Sequence, residues 1–153
     1  MSSERPTRDA IVATARESIA RGSKSFALAS TLFDRRTRER AWLLYAWCRA
    51  CDDLADGQNH GGALSGAADF VAIHGLTDRA LAGEWVGEAS FDGLRLLCDE
   101  VPIPRLLIDD HIAGFALDAQ GWQPRSEDDL IRYCHHVAGA VGMMMALVMG
   151  VHP

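Results

Sequence analysis

The chain has 153 residues, of which 48% are hydrophobic and 24% are charged, and its formal net charge is -6. This length and composition predict one folded domain with a sizeable core and argue against a disordered chain. The acidic balance, with a sequence pI near 5.4, argues against a nucleic-acid partner.

Helical periodicity extends over almost the whole sequence, and the alternating patterns typical of β-hairpins do not occur. We therefore predict an all-α fold. A first helix is predicted over residues 7–21, with Gly22 ending it, and a short element begins at Ser23. Asp34 can cap a longer helix that continues to about Asp56.

The glycine-rich stretch GQNHGGALSG, residues 57–66, predicts a loop that leaves the end of this long helix accessible. Three further helical patterns follow the loop, at residues 68–83, 90–100 and 104–120. Ser126 and Asp129 then form a capping-box-like start for the last helix. The apolar run at residues 137–151 is shorter than the roughly 18 residues that indicate a membrane-spanning helix, so we interpret it as a core helix.

The basic run DRRTRER ends at Arg40, near the start of the long helix. Our interpretation is a solvated helix face. The alternative is a surface that attracts an anionic substrate or lipid.

The stretch YAWCRACDDLAD places a phenol, a guanidinium and carboxylates on one helix. Tyr45, Arg49, Asp52 and Asp56 are spaced four, three and four residues apart, which puts them on one face, and Asp53 lies about 100° round from Asp52. Two carboxylates one turn apart can hold Mg²⁺, and an arginine one turn back suits a phosphate oxygen. The pattern indicates a site for a metal-bound polyphosphate. The alternative is an amphipathic helix that ends in acids, with a surface ion pair to the arginine.

The four cysteines, Cys48, Cys51, Cys98 and Cys134, lie in helical patterns behind a polar amino-terminal stretch that does not resemble a secretory signal. We interpret them as free, mostly buried thiols of a cytoplasmic protein. A zinc site through the C-x-x-C pair and the histidines beside Cys134 is disfavoured, because the turns that precede most zinc knuckles are missing.

Two other patterns allow both a structural and a functional interpretation. Asp110 and Asp118 are about two turns apart and could share a helix face, but we favour the interpretation that they lie on a solvated face. We interpret His111 as a hydrogen-bonded polar group and not as a ligand. The methionines near the carboxyl end of the chain, Met143, Met144, Met145 and Met149, indicate core packing. A wall for a long hydrocarbon substrate is the alternative.

Three stretches in order, GSKSFALASTLF, LYAWCRACDDLAD and YCHHVAGAVGMMM, resemble motifs of the squalene and phytoene synthase family, and the bacterial phytoene synthases most closely. The resemblance implies an isoprenoid-synthase-type helical bundle. It also implies condensation of two geranylgeranyl diphosphates, through prephytoene diphosphate, to phytoene in carotenoid biosynthesis. Mg²⁺ or Mn²⁺ would stabilise the departing diphosphate. Whether ATP stimulates turnover stays open.

The family motifs assign roles to individual residues of this chain. Asp52 and Asp56 would hold metal, with Asp53 as a less certain ligand. The residues implied to contact diphosphate are Arg49, Tyr45, Ser23 and Ser25. Phe26 would line an apolar channel, and Tyr133 would face the same cavity.

Other functions remain open beside this one. A dehydrosqualene- or squalene-type synthase would use farnesyl diphosphate instead. A non-catalytic helical fragment or subunit, or a zinc-binding helical domain, belongs to a different class. Peripheral membrane association is a family expectation that the charge pattern does not show.

The sequence departs from the family pattern in two places. A second D-x-x-x-D motif is expected beyond the YCHHVAG helix, and the chain does not contain one in a matching context. We therefore expect the chain to represent the amino-terminal half of the family domain, and to be inactive or weakly active without the missing half. Position 22 is glycine where some relatives carry histidine, which puts one diphosphate contact in doubt.

Overall fold

A computed structural model describes residues 5–56 and 66–152 of the chain. In this part of the chain the backbone forms helices and no strand, which confirms the all-α prediction. The elements are α1 (Arg8–Gly22), α2 (Lys24–Ser30), α3 (Arg35–Asp56), α4 (Gly66–Leu81), α5 (Ala89–Glu100), α6 (Arg105–Ala119), α7 (Glu127–Cys134), a π-helical segment (His135–Gly139) and α8 (Ala140–Val148). The predicted loop at residues 57–66 lies outside the described residues up to position 65.

Side-chain caps start four of the helices, at Thr7, Ser23, Asp34 and Ser126. Each capping oxygen accepts a backbone N–H that has no partner within the helix. Asp34 accepts from the N–H groups of both Arg36 and Thr37, at 2.9 and 3.1 Å. The predicted caps at Asp34 and Ser126 are therefore confirmed. The last helix begins as predicted, and a π-helical segment lies within it between α7 and α8.

The chain divides into two compact units. The first comprises Met1–Asp52 and Leu76–Val101, and the second comprises Asp53–Gly75 and Pro102–Pro153. That residues 1–153 belong to one family domain stays a prediction.

In the first unit, α1 packs against α2 and α5. The core side chains are fully or almost fully buried, among them Ile11, Ile19, Leu43, Leu44, Trp47, Phe91, Leu94 and Leu97. Gly93 permits a close approach, because a Cβ there would lie 3.2 Å from Leu43 and 3.4 Å from Ile11. This core holds the middle of α3 in a fixed rotation about its axis.

An ion-pair cluster ties α1, α3 and α5 together in the same unit. Glu39 accepts from Arg8 and Arg35 at 2.7 and 2.8 Å, and Glu100 accepts from Arg8 and Arg40 at 2.6 and 2.8 Å. Hydrogen bonds from Arg8 and Arg35 lower the pKa of Glu39. Two arginines of the basic run are thus engaged in structural pairs, so the run is only partly the solvated face that we predicted.

In the second unit, α6 packs against the π-helical segment and α8. Both sides contribute buried residues, listed here as Leu107, Ile108 and Ile112 on α6 and Ala140, Met144 and Val148 on α8. Gly114 permits the approach of the π-helical segment, since a Cβ there would lie 3.1 Å from the Val137 side chain. The core-packing interpretation is confirmed for Met144, which is buried, and is wrong for Met143 and Met149, which are 52% and 54% exposed.

His111 of α6 is buried in the second unit and its ring meets Phe115 edge-on at 5.1 Å. Burial lowers the pKa of His111 to about 4. On the same helix, the Asp110 carboxylate lies 3.0 Å from Nε2 of His135. Of the helices in the described ranges, none is both long enough and apolar enough to cross a membrane.

Candidate functional site

Helix α3 carries the predicted acidic motif and is continuous through its last residue, Asp56. One side of the helix is buried through Trp47 and Cys51, whereas Arg49 and Asp53 are exposed and Asp52 is half-buried. Helical geometry therefore keeps the predicted residues on an accessible face. The side chain of Asp56 lies outside the described residues.

Negative charge is concentrated at the carboxyl-terminal end of α3. Three aspartates lie in its last two turns, where the helix dipole is negative, and the last turn contains no basic residue. Carboxylate oxygens at this spacing are the donor set that Mg²⁺ accepts. Within residues 5–56 and 66–152, no three His, Cys, Asp or Glu side chains converge to hold a metal ion. Because the side chain of Asp56, one of the three predicted ligands, lies outside the described residues, the metal site stays a prediction.

The two thiols near Asp52, those of Cys48 and Cys51, have low reactivity. Burial and, to a smaller extent, the nearby Asp52 carboxylate raise the pKa of Cys48 to about 12. Burial also raises the pKa of Cys51, with smaller contributions from Cys48 and Asp52. Thiols of this kind stay protonated at neutral pH, and the thiolate is the form that binds zinc or exchanges disulfides. The expectation of mostly buried thiols is confirmed for Cys51 and is wrong for Cys134, which is exposed, whereas Cys48 and Cys98 are half-buried.

The α1–α2 junction brings four predicted substrate-binding residues together in the first unit. Ser23 Oγ accepts the Phe26 N–H and lies 3.3 Å from Ser25 Oγ. The ring of Phe26 is 6.4 Å from that of Tyr45 and tilted by 59°. Phe26 is 63% exposed, so this junction presents two hydroxyl groups and an aromatic ring on an open surface.

Gly22 belongs to this group as well. A Cβ at position 22 would overlap the hydroxyl oxygen of Tyr45. The phenol thus extends along the last turn of α1, into space that is free only because residue 22 is glycine. The sequence marks this position as a departure from the family, but the spacing of residues does not reveal its contact with Tyr45.

Tyr133 lies in the second unit, in the last turn of α7. Its hydroxyl group donates to Asp118 Oδ1 at 2.7 Å, and its ring stacks on Trp122 with centroids 5.8 Å apart. Sequence reasoning missed this pairing: it placed Asp118 on a solvated face and gave Trp122 no role. Asp118 is indeed exposed, but it is engaged with the phenol.

A groove of about 600 Å³ lies between α1 and α3 in the first unit. Trp42 is one of the residues that line it. The guanidinium carbons of Arg16 and Arg38 lie 5.8 and 5.7 Å from the centroid of the Trp42 ring. The lining combines three arginines with three acids and is close to neutral. None of the predicted site residues contributes to this groove.

Comparison with known proteins identifies a family that the chain resembles. The squalene/phytoene synthase family profile matches residues 19–153. The chain is 42% identical over 141 residues to 15-cis-phytoene synthase of Pantoea ananas, an alignment that covers 88% of this chain and 46% of the relative. It is also 42% identical over 144 residues to phytoene synthase of Pseudescherichia vulneris, covering 90% and 46%.

A solved structure is similar in backbone as well. A dehydrosqualene synthase, solved in complex with ligand, superposes with a TM-score of 0.80 at 28% identity, covering 92% of this chain and 48% of that one. The helical arrangement described above is thus an isoprenoid-synthase type of fold. The chain spans about half the length of the curated relatives that it matches.

Proposed function

The chain belongs to the squalene/phytoene synthase family, and from this membership we propose that it acts in phytoene synthesis. The proposed reaction joins two geranylgeranyl diphosphates head to head, through prephytoene diphosphate, to phytoene. The observation that carries the proposal is the 42% identity to bacterial phytoene synthases over about nine-tenths of the chain. The continuous acidic face of α3 supports it.

The charged residues of α3 are proposed to bind the diphosphate end of the substrate. Asp52 and Asp56, with Asp53 beside them, would hold Mg²⁺ or Mn²⁺, which supplies Lewis-acid stabilisation of the departing diphosphate. Arg49 is one helical turn from Asp52 on the exposed side, where its guanidinium can donate two parallel hydrogen bonds to phosphate oxygens. In this proposal the carboxylates bind the metal cation, and the guanidinium binds the diphosphate anion.

The α1–α2 junction is proposed to complete the binding of the diphosphate and the start of the prenyl chain. Ser23 and Ser25 present their hydroxyl groups 3.3 Å apart, a spacing at which both can donate to one phosphate group. The rings of Phe26 and Tyr45 lie beside them and would form one apolar side of the prenyl-binding site. An allylic cation is quenched by water, so an apolar wall next to the diphosphate is a chemical requirement.

The length of the substrate is a separate proposal. The structural neighbour is a dehydrosqualene synthase, so farnesyl diphosphate is the alternative substrate. The identity of 42% to phytoene synthases, against 28% to this neighbour, favours geranylgeranyl diphosphate. Because the chain contains one acidic motif of the two in the family pattern, we also propose that its turnover in isolation is weak.

The test is Mg²⁺-dependent binding of a non-hydrolysable geranylgeranyl thiodiphosphate, measured by calorimetry, followed by product analysis at high protein concentration. Asp52→Ala should weaken binding on the order of tenfold or more. Asp109→Ala is the matched control, because Asp109 is an aspartate of α6 that pairs with Arg105 one turn before it in the same helix. Binding that is indifferent to both Mg²⁺ and Asp52 would leave a non-catalytic helical module as the better interpretation. Tighter binding of the farnesyl compound would favour the shorter substrate.

A further inference from the structure

We infer that Asp118 and Trp122 are positioning residues for Tyr133, one fixing its hydroxyl group and the other fixing the face of its ring. Neither residue belongs to the acidic motif or to the α1–α2 junction. The consequence for catalysis rests on the proposed function and on the role that the family motif implies for Tyr133, beside the allylic cation. The orientation of the phenol itself is a property of the second unit alone.

The end of α6 places both residues by one backbone device. Gly121 adopts a left-handed conformation with φ +63. Its N–H bonds to the carbonyl of Asp118 at 3.0 Å, and the Trp122 N–H bonds to the carbonyl of Leu117 at 3.1 Å. This pair of bonds is a Schellman motif, which ends the helix and turns the chain sharply. The motif brings a carboxylate and an indole, four residues apart in sequence, to the same tyrosine.

The two contacts restrain different motions of the phenol. The 2.7 Å hydrogen bond from Tyr133 Oη to Asp118 Oδ1 fixes the position of the hydroxyl end. The indole of Trp122 lies at an interplanar angle of 28° to the ring, with centroids 5.8 Å apart, which opposes rotation of the ring plane. Tyr133 is half-buried, so without these two neighbours its ring would lose much of its restraint.

The Asp118 carboxylate also changes the electrostatic properties of the Tyr133 phenol. The hydrogen bond to Asp118 raises the pKa of Tyr133, and partial burial and the charge of Asp118 contribute in the same direction. The phenol therefore keeps its proton at neutral pH while the carboxylate makes its oxygen and ring more electron-rich. A neutral, electron-rich ring face attracts a cation within about 6 Å of its centre. That attraction depends on the angle of the ring, which is what Asp118 and Trp122 restrain.

The first experiment measures Tyr133 directly. The chain has only two tyrosines, so Tyr45→Phe leaves Tyr133 as the single phenol in the ultraviolet titration near 295 nm. In this background Asp118→Asn should move the titration midpoint of Tyr133 to lower pH, and Asp118→Glu should restore part of the shift. Asp109→Asn, the control on the same helix, should leave the midpoint unchanged. Trp122→Leu should raise the ring-flip rate seen by NMR of labelled tyrosine. An unmoved midpoint and an unchanged flip rate would overturn the inference.

The second experiment asks whether orientation matters for a cation. The probes are a prenyl trialkylammonium compound and its uncharged carbon analogue, bound to the chain with Tyr45 intact. Asp118→Asn and Trp122→Leu should each reduce the preference for the ammonium compound, by about two- to tenfold. A purely structural role would weaken both probes equally, and this result would overturn the catalytic part of the inference. Failure of the parent chain to prefer the ammonium compound would count against the proposed function, while the titration would still decide the role of Asp118.

Discussion

The hydroxyl group of Tyr45 occupies the space that a side chain at position 22 would need. Tyr45 is on α3 and Gly22 is the last residue of α1, so the contact joins the acidic helix to the α1–α2 junction. A larger residue at position 22 would prevent the phenol from lying as it does here. In this chain the identity of residue 22 therefore controls the position of the Tyr45 hydroxyl group.

Gly22→Ala should displace the Tyr45 hydroxyl group and destabilise the chain by about 1 kcal/mol, because the overlap outweighs the gain in helix propensity. Removal of the hydroxyl group in Tyr45→Phe should relieve most of this cost. The measurement is a double-mutant cycle by urea denaturation. The control is Gly75→Ala, since a Cβ at this helical glycine meets nothing within 4 Å, and it should be neutral or stabilising. Additive effects of the position-22 and position-45 changes would contradict the overlap.

Glu100→Gln should destabilise the chain by about 1–3 kcal/mol, because it removes the charge that Arg8 and Arg40 share and leaves both guanidinium groups partly buried. Burial alone would raise the pKa of Glu100, but the hydrogen bonds from the two arginines lower it below the ordinary value. The folded state thus binds fewer protons than the unfolded state, so this stabilisation is present above about pH 4.5 and is lost as the pH falls further.

Denaturant titration of Glu100→Gln and the parent at pH 7 and pH 3.5 measures both effects. The difference between the two proteins should shrink at the lower pH. Glu84→Gln is the matched control, since Glu84 pairs with Arg79 in an exposed position, and it should change stability by less than about 1 kcal/mol. Equal changes in the free energy of unfolding for the two substitutions would show that the partly buried ion-pair cluster stabilises the fold no more than an exposed pair does.

His111 should make the stability of the fold depend on pH in the mildly acidic range. Its folded pKa is lowered to about 4 by burial, so between this value and the ordinary value of about 6.5 the unfolded state binds the extra proton. Stability should therefore fall as the pH falls through this window, by up to about 1.4 kcal/mol per pH unit.

The check compares the parent with His111→Leu by thermal unfolding from pH 7.5 to pH 5. The substitution should flatten the dependence of the melting temperature on pH. His152→Gln is the control, because His152 is exposed and should not alter the slope. A slope that survives in His111→Leu would assign the effect to other groups.

Cys134 should react with a thiol reagent much faster than the other cysteines. It is exposed, whereas burial raises the pKa of Cys98 to about 11 and that of Cys48 to about 12. Since the thiolate is the reactive form, the buried thiols should react only on unfolding. Counting labels by mass spectrometry under native conditions should give one fast site, which disappears in Cys134→Ser. Rapid labelling of Cys48 would show that this end of α3 opens in solution.

Local rules account for what the sequence predicts well. The caps at Asp34 and Ser126 depend on residues two or three positions away, and the shared face of Tyr45, Arg49 and Asp52 depends only on helical period. Both kinds of information are present in a short window of sequence. Membership of the family follows from three motifs in order, and the comparisons confirm it.

Long-range contacts account for what the sequence does not predict. Arg40 pairs with Glu100, sixty positions away, and nothing in the basic run indicates this partner. Tyr133 finds Asp118 across the turn that follows α6, which is built by Gly121. The sequence does not predict the π-helical segment either, because a continuous run of small and apolar residues is compatible with both an α-helix and a π-helix.

The π-helical segment at His135–Gly139 has a consequence for how this region can change in length. A π turn contains one residue more than an α turn, so deleting one residue there would leave a helix with ordinary backbone bonding. Because a turn of either kind completes about one full rotation, the helix beyond the deletion would keep its phase relative to α7. In an ordinary α-helix, the same deletion would rotate everything beyond it by about 100°. The segment is therefore a place where this helix can lose one residue while Tyr133 and the buried face of α8 stay in phase.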